Sequence, residues 1–167
     1  GPPQVPAVAP SSSPLSPADA YSTIAAVMPD DVAVVSESPS NLMVMLNHWR
    51  PSHPRSFFFS GSGGLGFGTS ATVGVQLGLP NRPVVGILGD GAFQYSVQGL
   101  YTAALYNIPA TFLVLRNSQY AILKWFGEVE GAPKVPGLDL PALDAVPIAE
   151  GYGVPGRTVS DSAALAD

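Results

Sequence analysis

A carboxylate and an amide, Asp90 and Asn117, stand 27 positions apart, each just after an apolar run. Gly89-Asp90-Gly91 follows Val84-Val85-Gly86-Ile87-Leu88, and a second run, residues 111–115, ends shortly before Asn117. The two runs read as strands joined by a helical stretch. Both polar side chains then fall at strand carboxyl ends, where an open α/β sheet presents its ligand site. Two oxygen ligands so placed suit a hard divalent cation, and such a cation usually accompanies a phosphate. The spacing points to half of a metal-diphosphate site.

The elements that must hold these residues alternate along the chain. Ser16-Pro17-Ala18-Asp19 offers an N-cap, a first-turn proline and a first-turn acid, predicting a helix over 17–28 that Pro29 ends. Strands are expected at 32–35, 57–59, 84–88 and 111–115, and helices near 41–49, 69–77, 94–106, 120–127 and 143–152. Residues 36–40 read as a hydroxyl-rich loop. The segment 60–68 is a loop whose five glycines allow a ligand to approach the backbone closely. Three prolines and two glycines make 131–141 another loop. This alternation predicts an α/β fold, a doubly wound, mostly parallel sheet with helices on both faces. Residues 1–16, rich in proline, serine and alanine and without charge, read as a linker preceding a domain over 17–167. Residues 160–165 resemble the start of a capped helix after which a further strand is expected, so the domain reads as truncated at its C-terminus.

Composition excludes several function classes. The 167 residues are one domain in size, and 46% hydrophobic with only 11% charged residues can bury a sizeable core. So little charge suggests apolar surface meant to be covered by another domain or subunit. A net charge of -5 with only seven Lys and Arg argues against nucleic acid, which demands clustered cations. Without cysteine there is no disulfide framework, thiolate nucleophile or thiolate metal site. No apolar stretch is long enough to span a membrane and no signal-peptide pattern opens the sequence, which fits a cytoplasmic protein.

The run GDGAFQYSVQGLYTAALYNIPATFLVLRNSQY resembles the cofactor motif of thiamine diphosphate enzymes, which opens on GDG and closes on an Asn a little under thirty residues later. Within that superfamily, SGSGGLGFGTSATVGVQLG, LYNIPATFLVLRNSQYAILKWF, VPGLDLP and EGYGV resemble the benzoylformate decarboxylases, over about residues 17–155. The resemblance implies a thiamine diphosphate-binding fold with Mg²⁺ held by side-chain oxygens of Asp90 and Asn117 and the backbone carbonyl of Gln119. It implies that Gly91 and Ala92 offer backbone N–H groups to the diphosphate, that Ser38, Ser40 and Tyr120 contact it, and that Gly64 and Ala121 belong to the same cofactor-binding set. Leu65 matches the bulky apolar residue that holds the cofactor bent, with its aminopyrimidine folded over the thiazolium. Leu123 and Phe126 match positions lining the substrate pocket, and their apolar, aromatic character fits an aryl 2-oxo acid. No catalytic residue is carried over, because the family's activating glutamate and catalytic histidines lie on a pyrimidine-binding domain absent from this sequence. The isolated chain is therefore expected to be inactive, and the intact enzyme to be a homo-oligomer, dimer or tetramer.

The chain departs from the pattern in places. Pro39 and Ala92 each stand where the decarboxylases carry a hydroxyl, Arg116 and Ser118 are unusual beside the ligand Asn, and Ile122 replaces a common alanine. Two other readings stay open. One is an acetolactate synthase-like or other thiamine diphosphate enzyme, which would share the metal site and differ around Leu123 and Phe126. The other is a non-catalytic ligand-binding module of the same fold. Among the remaining residues, Trp125 reads as core, His48 and His53 as surface, and Glu37 either as a cofactor contact or as a cap of the helix that follows it.

Overall fold

The fold grows outward from one strand that is buried along its whole length. In the computed structural model, which describes residues 14–167, β1 (Ala33–Glu37) is enclosed at every position. It is flanked by β2 (Phe57–Phe59) and β3 (Val84–Gly89), and β4 (Thr111–Leu115) lies beyond β3, giving the order β2-β1-β3-β4. All pairs are parallel, in registers that set Val34 against Phe57, Ala33 against Val84 and Val85 against Thr111. The expected doubly wound sheet is therefore present. Its strands read as continuous apolar runs because both faces are covered.

On one face, Tyr21 and Ile24 of α1 (Pro17–Val27) and Met45 of α2 (Leu42–His48) pack against Val34, Val85 and Ile87. On the other, α3 (Gly68–Gly78) brings Ala71 and Val75 to Ala33, Val35 and Val84. The same side carries a third cluster, where Phe93 of α4 (Asp90–Phe93) and Leu100 of α5 (Gly99–Leu105) meet Leu88. Ile148 and Ala149 of α7 (Ala145–Gly151) cover that cluster. The remaining helices are α6 (Ala121–Val129) and α8 (Ser162–Ala166). Close approach is built in at Gly86, where a Cβ would run into the Thr72 side chain of α3.

Helix starts follow capping chemistry. Ser16 Oγ accepts from Asp19 N–H at 3.1 Å with Pro17 in the first turn, Asp144 accepts from Val146 N–H at 3.2 Å, and Asp161 accepts from Ala164 N–H at 2.9 Å. Two expectations are corrected. β1 runs two residues past the expected 35, because Ser36 and Glu37 are drawn into the ladder opposite Ile87 and Leu88. The helix expected over 94–106 is instead a turn that follows α4, and then α5. In that turn Gly99 N–H bonds to Ser96 O at 2.9 Å and Leu100 N–H to Val97 O at 3.0 Å, three-residue spacings too tight for an α-helix. The linker expectation falls mostly on residues 1–13, outside the described residues. Among the described residues, no helix is long and apolar enough to cross a membrane.

Candidate functional site at the strand carboxyl ends

Parallel strands deliver their carboxyl ends to one edge of the sheet, and the polar residues that interrupt the apolar runs collect there. Asp90, 4% exposed, starts α4 directly after β3. Its carboxylate is fixed by three backbone donors. Oδ1 accepts from Gly91 N–H at 2.9 Å, and Oδ2 accepts from Asn117 N–H at 3.1 Å and Ser118 N–H at 2.6 Å. The loop after β4 is thereby fastened to the loop after β3. Asn117 Oδ1 accepts from Gln119 N–H at 3.1 Å, and Ser118 between them takes a left-handed backbone, φ +57°. A Cβ on Gly91 would run into the Tyr120 ring, so glycine there is what lets Tyr120 lie against α4. Burial raises the Tyr120 phenol pKa above its ordinary value, and the Tyr95 hydroxyl and the Asp90 carboxylate add to the rise.

A second carboxylate does structural work that the sequence left undecided. Glu37, 4% exposed, accepts from Gly66 N–H at 2.7 Å and Phe67 N–H at 2.9 Å through Oε1, and from Gly68 N–H at 2.9 Å through Oε2. It thus anchors the glycine loop and the start of α3, not the helix that follows it in sequence. A Cβ on Gly68 would lie 2.8 Å from Glu37 Cβ, so the loop can close on the carboxylate only with glycine there. The loop over 131–141 is stitched on as well. Tyr120 N–H bonds to Leu138 O and Leu140 N–H to Ser118 O, both at 2.8 Å. Lys124 Nζ donates to Asp139 Oδ1 at 2.6 Å and to Gln119 Oε1 at 2.7 Å.

These loops enclose a cavity of about 350 Å³. Ser38, Ser40, Leu65, Asp90, Gly91, Ala92, Asn117, Gln119, Tyr120, Ala121, Leu123 and Phe126 all line it, with Pro39 and Ile122 among their neighbours. Gly64 is exposed beside Leu65 and is not among the lining residues. Ser38 is 3% exposed and begins the 3-10 turn Pro39–Asn41, yet its side chain makes no capping bond there. Trp125, expected in the core, is instead 54% exposed, because α6 buries no residue fully. His53 is exposed, whereas His48 is half-buried with a buried, unpartnered Nδ1. No group of three or more His, Cys, Asp or Glu gathers among the described residues. A metal here would meet one carboxylate and neutral oxygens. Sequence reasoning missed the Lys124–Asp139 clasp, for which nothing in the local pattern is a signal, and left Glu37 undecided although it ends an unbroken buried strand.

Residues 40–167 match the family described as thiamine pyrophosphate enzyme, C-terminal TPP binding domain. The benzoylformate decarboxylase of Pseudomonas aeruginosa PAO1 is 44% identical over 152 residues, which cover 91% of this chain and 29% of that protein. The acetolactate synthase isozyme 3 large subunit of Escherichia coli K12 is 31% identical over 132 residues, 78% of this chain and 23% of that one. Among solved structures, a thiamine diphosphate-dependent 4-hydroxybenzoylformate decarboxylase from Rhodococcus jostii RHA1 superimposes with a TM-score of 0.90 at 39% identity, over 93% of this chain and 29% of that chain. The benzoylformate decarboxylase of Polynucleobacter necessarius gives 0.86 at 37% identity, over 93% and 30% respectively. The chain spans less than a third of the length of each of these proteins.

Proposed function

Since this chain belongs to the thiamine pyrophosphate enzymes, as their C-terminal TPP-binding domain, we propose that it holds the diphosphate end of thiamine diphosphate through Mg²⁺ for the decarboxylation of an aryl 2-oxo acid. The observation that carries this reading is the convergence of Asp90, Asn117 and Gln119 with Ser38, Ser40, Leu65, Gly91, Ala92, Tyr120 and Ala121 on one cavity. Gly64, next to Leu65, belongs to the proposed cofactor set as a backbone neighbour of that wall.

The donor set fits the metal. Mg²⁺ takes oxygen ligands in a near-octahedral shell and keeps places for phosphate and water, which suits a site with one carboxylate, one side-chain amide oxygen and one backbone carbonyl. Asp90 Oδ1 accepts a single backbone bond and Asn117 Oδ1 likewise, so each keeps a free acceptor position for a cation. The Gln119 side-chain oxygen is taken up by Lys124 Nζ, which supports the reading that its backbone carbonyl would serve as the ligand. Bound there, thiamine diphosphate supplies the electron sink for carbon–carbon cleavage.

The chain's own residues bind, orient and exclude water. Ser38 and Ser40 supply hydroxyls at the end of β1, and Tyr120 closes over Gly91. Leu65, held by a loop that Glu37 anchors, would present an apolar wall to the cofactor. Leu123 and Phe126, on the α6 side of the cavity, line the place for an aryl substrate. Proton transfer at the substrate belongs to a pyrimidine-binding domain elsewhere in the enzyme, contributed within a cytoplasmic homo-oligomer, dimer or tetramer. The 167 residues alone bind cofactor weakly and catalyse nothing.

Titration calorimetry with thiamine diphosphate, with and without Mg²⁺, tests this. Binding should require Mg²⁺ and disappear in Asp90→Ala. Asp90→Asn, which keeps an acceptor oxygen but loses the charge, should fold and bind more weakly than the native chain. Equal binding without metal, or undiminished binding by both variants, would refute the metal-diphosphate reading.

A further inference from the structure

Residues 118–120 and 138–140 clamp together as a short antiparallel pair. Tyr120 N–H donates to Leu138 O and Leu140 N–H to Ser118 O, both at 2.8 Å, with Gln119 and Asp139 as the bridged residues between them. Both bonds belong to the flanking residues, which makes Gln119 and Asp139 a non-hydrogen-bonded pair. In such a pair the side chains stand close, and each residue's own N–H and C=O face away from the opposite segment. The Gln119 N–H accordingly turns to Asn117 Oδ1 at 3.1 Å. An extended residue points its C=O to the same side as its N–H, so the bridge carries the Gln119 carbonyl toward Asn117 as well.

Lys124 of α6 closes the clamp from the side-chain face. Its Nζ donates to Gln119 Oε1 at 2.7 Å and to Asp139 Oδ1 at 2.6 Å, so one ammonium spans both members of the bridged pair. The backbone is shaped to bring them together. Ala132 N–H bonds back to Gly127 O at 2.7 Å, where a Cβ on Gly127 would lie 2.8 Å from Ala132 O, and Gly137 turns the chain at φ +78° just before Leu138. The Lys124 and Asp139 side chains are 37% and 79% exposed, so as an ion pair they add little to global stability. What distinguishes them is the residue they grip.

We propose that Lys124 and Asp139 are a positioning pair, which holds residues 118–120 against the 131–141 loop, keeps the Gln119 amide oxygen engaged, and so sets the Gln119 backbone carbonyl toward a cation beside Asp90 and Asn117. The inference rests on the cofactor reading, in which that cation is the Mg²⁺ of a metal diphosphate. Without the ammonium, the Gln119 amide oxygen becomes a rival to its own carbonyl as a neutral ligand, and the clamp keeps only its two backbone bonds.

Calorimetric titration of the chain with Mg²⁺ plus either thiamine diphosphate or inorganic pyrophosphate tests this, on Lys124→Met, Lys124→Arg, Asp139→Asn and the Lys124→Met/Asp139→Asn double variant. Lys124→Met and Asp139→Asn should each raise Kd about 2- to 5-fold, the scale of one exposed charged pair. The double variant should bind no worse than Lys124→Met, and Lys124→Arg, which keeps the charge and can span two acceptors, should restore binding. Lys134→Met, at an exposed lysine of the same loop, should bind as the native chain does. A lysine acting through its charge alone gives the opposite sign at Asp139, since removing a carboxylate near an anionic ligand tightens binding. Native-like binding by Lys124→Met, or tighter binding by Asp139→Asn, would overturn the positioning pair while leaving the cofactor reading intact. A native chain that binds neither ligand would instead overturn the cofactor reading. The clasp is then judged by amide hydrogen exchange, in which the Tyr120 and Leu140 amides should exchange faster in Lys124→Met and return to the native rate in Lys124→Arg. Native-like exchange at both amides in Lys124→Met refutes it.

Discussion

Ser118 holds a left-handed backbone, φ +57°, which costs a residue with a Cβ about 1–2 kcal/mol. It does so because only that turn brings its N–H to Asp90 Oδ2 at 2.6 Å. Ser118→Gly should keep the bond and release the strain, raising the stability read from urea unfolding by up to ~1 kcal/mol. Tyr21 sets a second residue-scale expectation, at high pH. Its phenol ionises near 10.0 in the unfolded chain and near 12 in the fold, so the unfolded state gives up the proton first. The stability this burial protects is complete below pH 10 and is lost as pH rises from 10 through 12, about 1.4 kcal/mol for each unit. Tyr120, whose phenol is also raised, adds a loss of the same sign. Unfolding midpoints followed against pH should therefore fall more steeply across that range in the native chain than in Tyr21→Phe. Equal slopes would show that the phenol is not held neutral by the fold.

Elements meet in this molecule through missing side chains as much as through present ones. Gly86 lies on the central strand β3 where Thr72 of α3 fills the space a Cβ would need, with Thr72 Cγ2 at 3.1 Å. Both partners belong to regular elements and neither can move aside freely, so Gly86→Ala should cost about 1–3 kcal/mol, measured by the urea midpoint. A cost near zero would mean that α3 slides on the sheet. What was legible beforehand follows from the same logic of elements. Asp90 and Asn117 could be found because each follows closely on an apolar strand, at the carboxyl-end edge where an open parallel sheet presents its ligand site. The strand-helix alternation was legible because each run has one period and one clear stop. Glu37 was harder. Its hydroxyl-rich neighbours suggest a loop, and the ladder that absorbs it is made by a strand half a hundred residues away. Trp125 failed for the opposite reason. Its spacing with Leu123 and Phe126 marks an apolar stripe, but periodicity cannot say what covers that stripe, and here nothing among the described residues does so fully. The Lys124–Asp139 clasp joins two segments with no pattern in common.

At the scale of the whole molecule, the site is a rim fed by four parallel strands, and chemistry is separated from support. Apolar clusters lie along the sheet and below the rim, while the residues around the cavity come from the loops after β1, β2, β3 and β4 and from α6. The parallel arrangement also sets a clock. Among the described residues, no strand pairs with a neighbour made immediately before it through a tight hairpin: Val34 meets Phe57 and Ala33 meets Val84, 23 and 51 positions later, and Val85 meets Thr111 after a further 26. Such distant pairings must close long loops before any ladder bond forms, which places refolding on the order of milliseconds to seconds, not microseconds. Stopped-flow refolding from urea checks this, and a microsecond phase carrying all the signal would contradict it. The strand that ends in Glu37 is thus made before the other three strands of its sheet and among the last of them to be enclosed. Until β3 emerges, the apolar stretch at its centre stays open to whatever else is in reach.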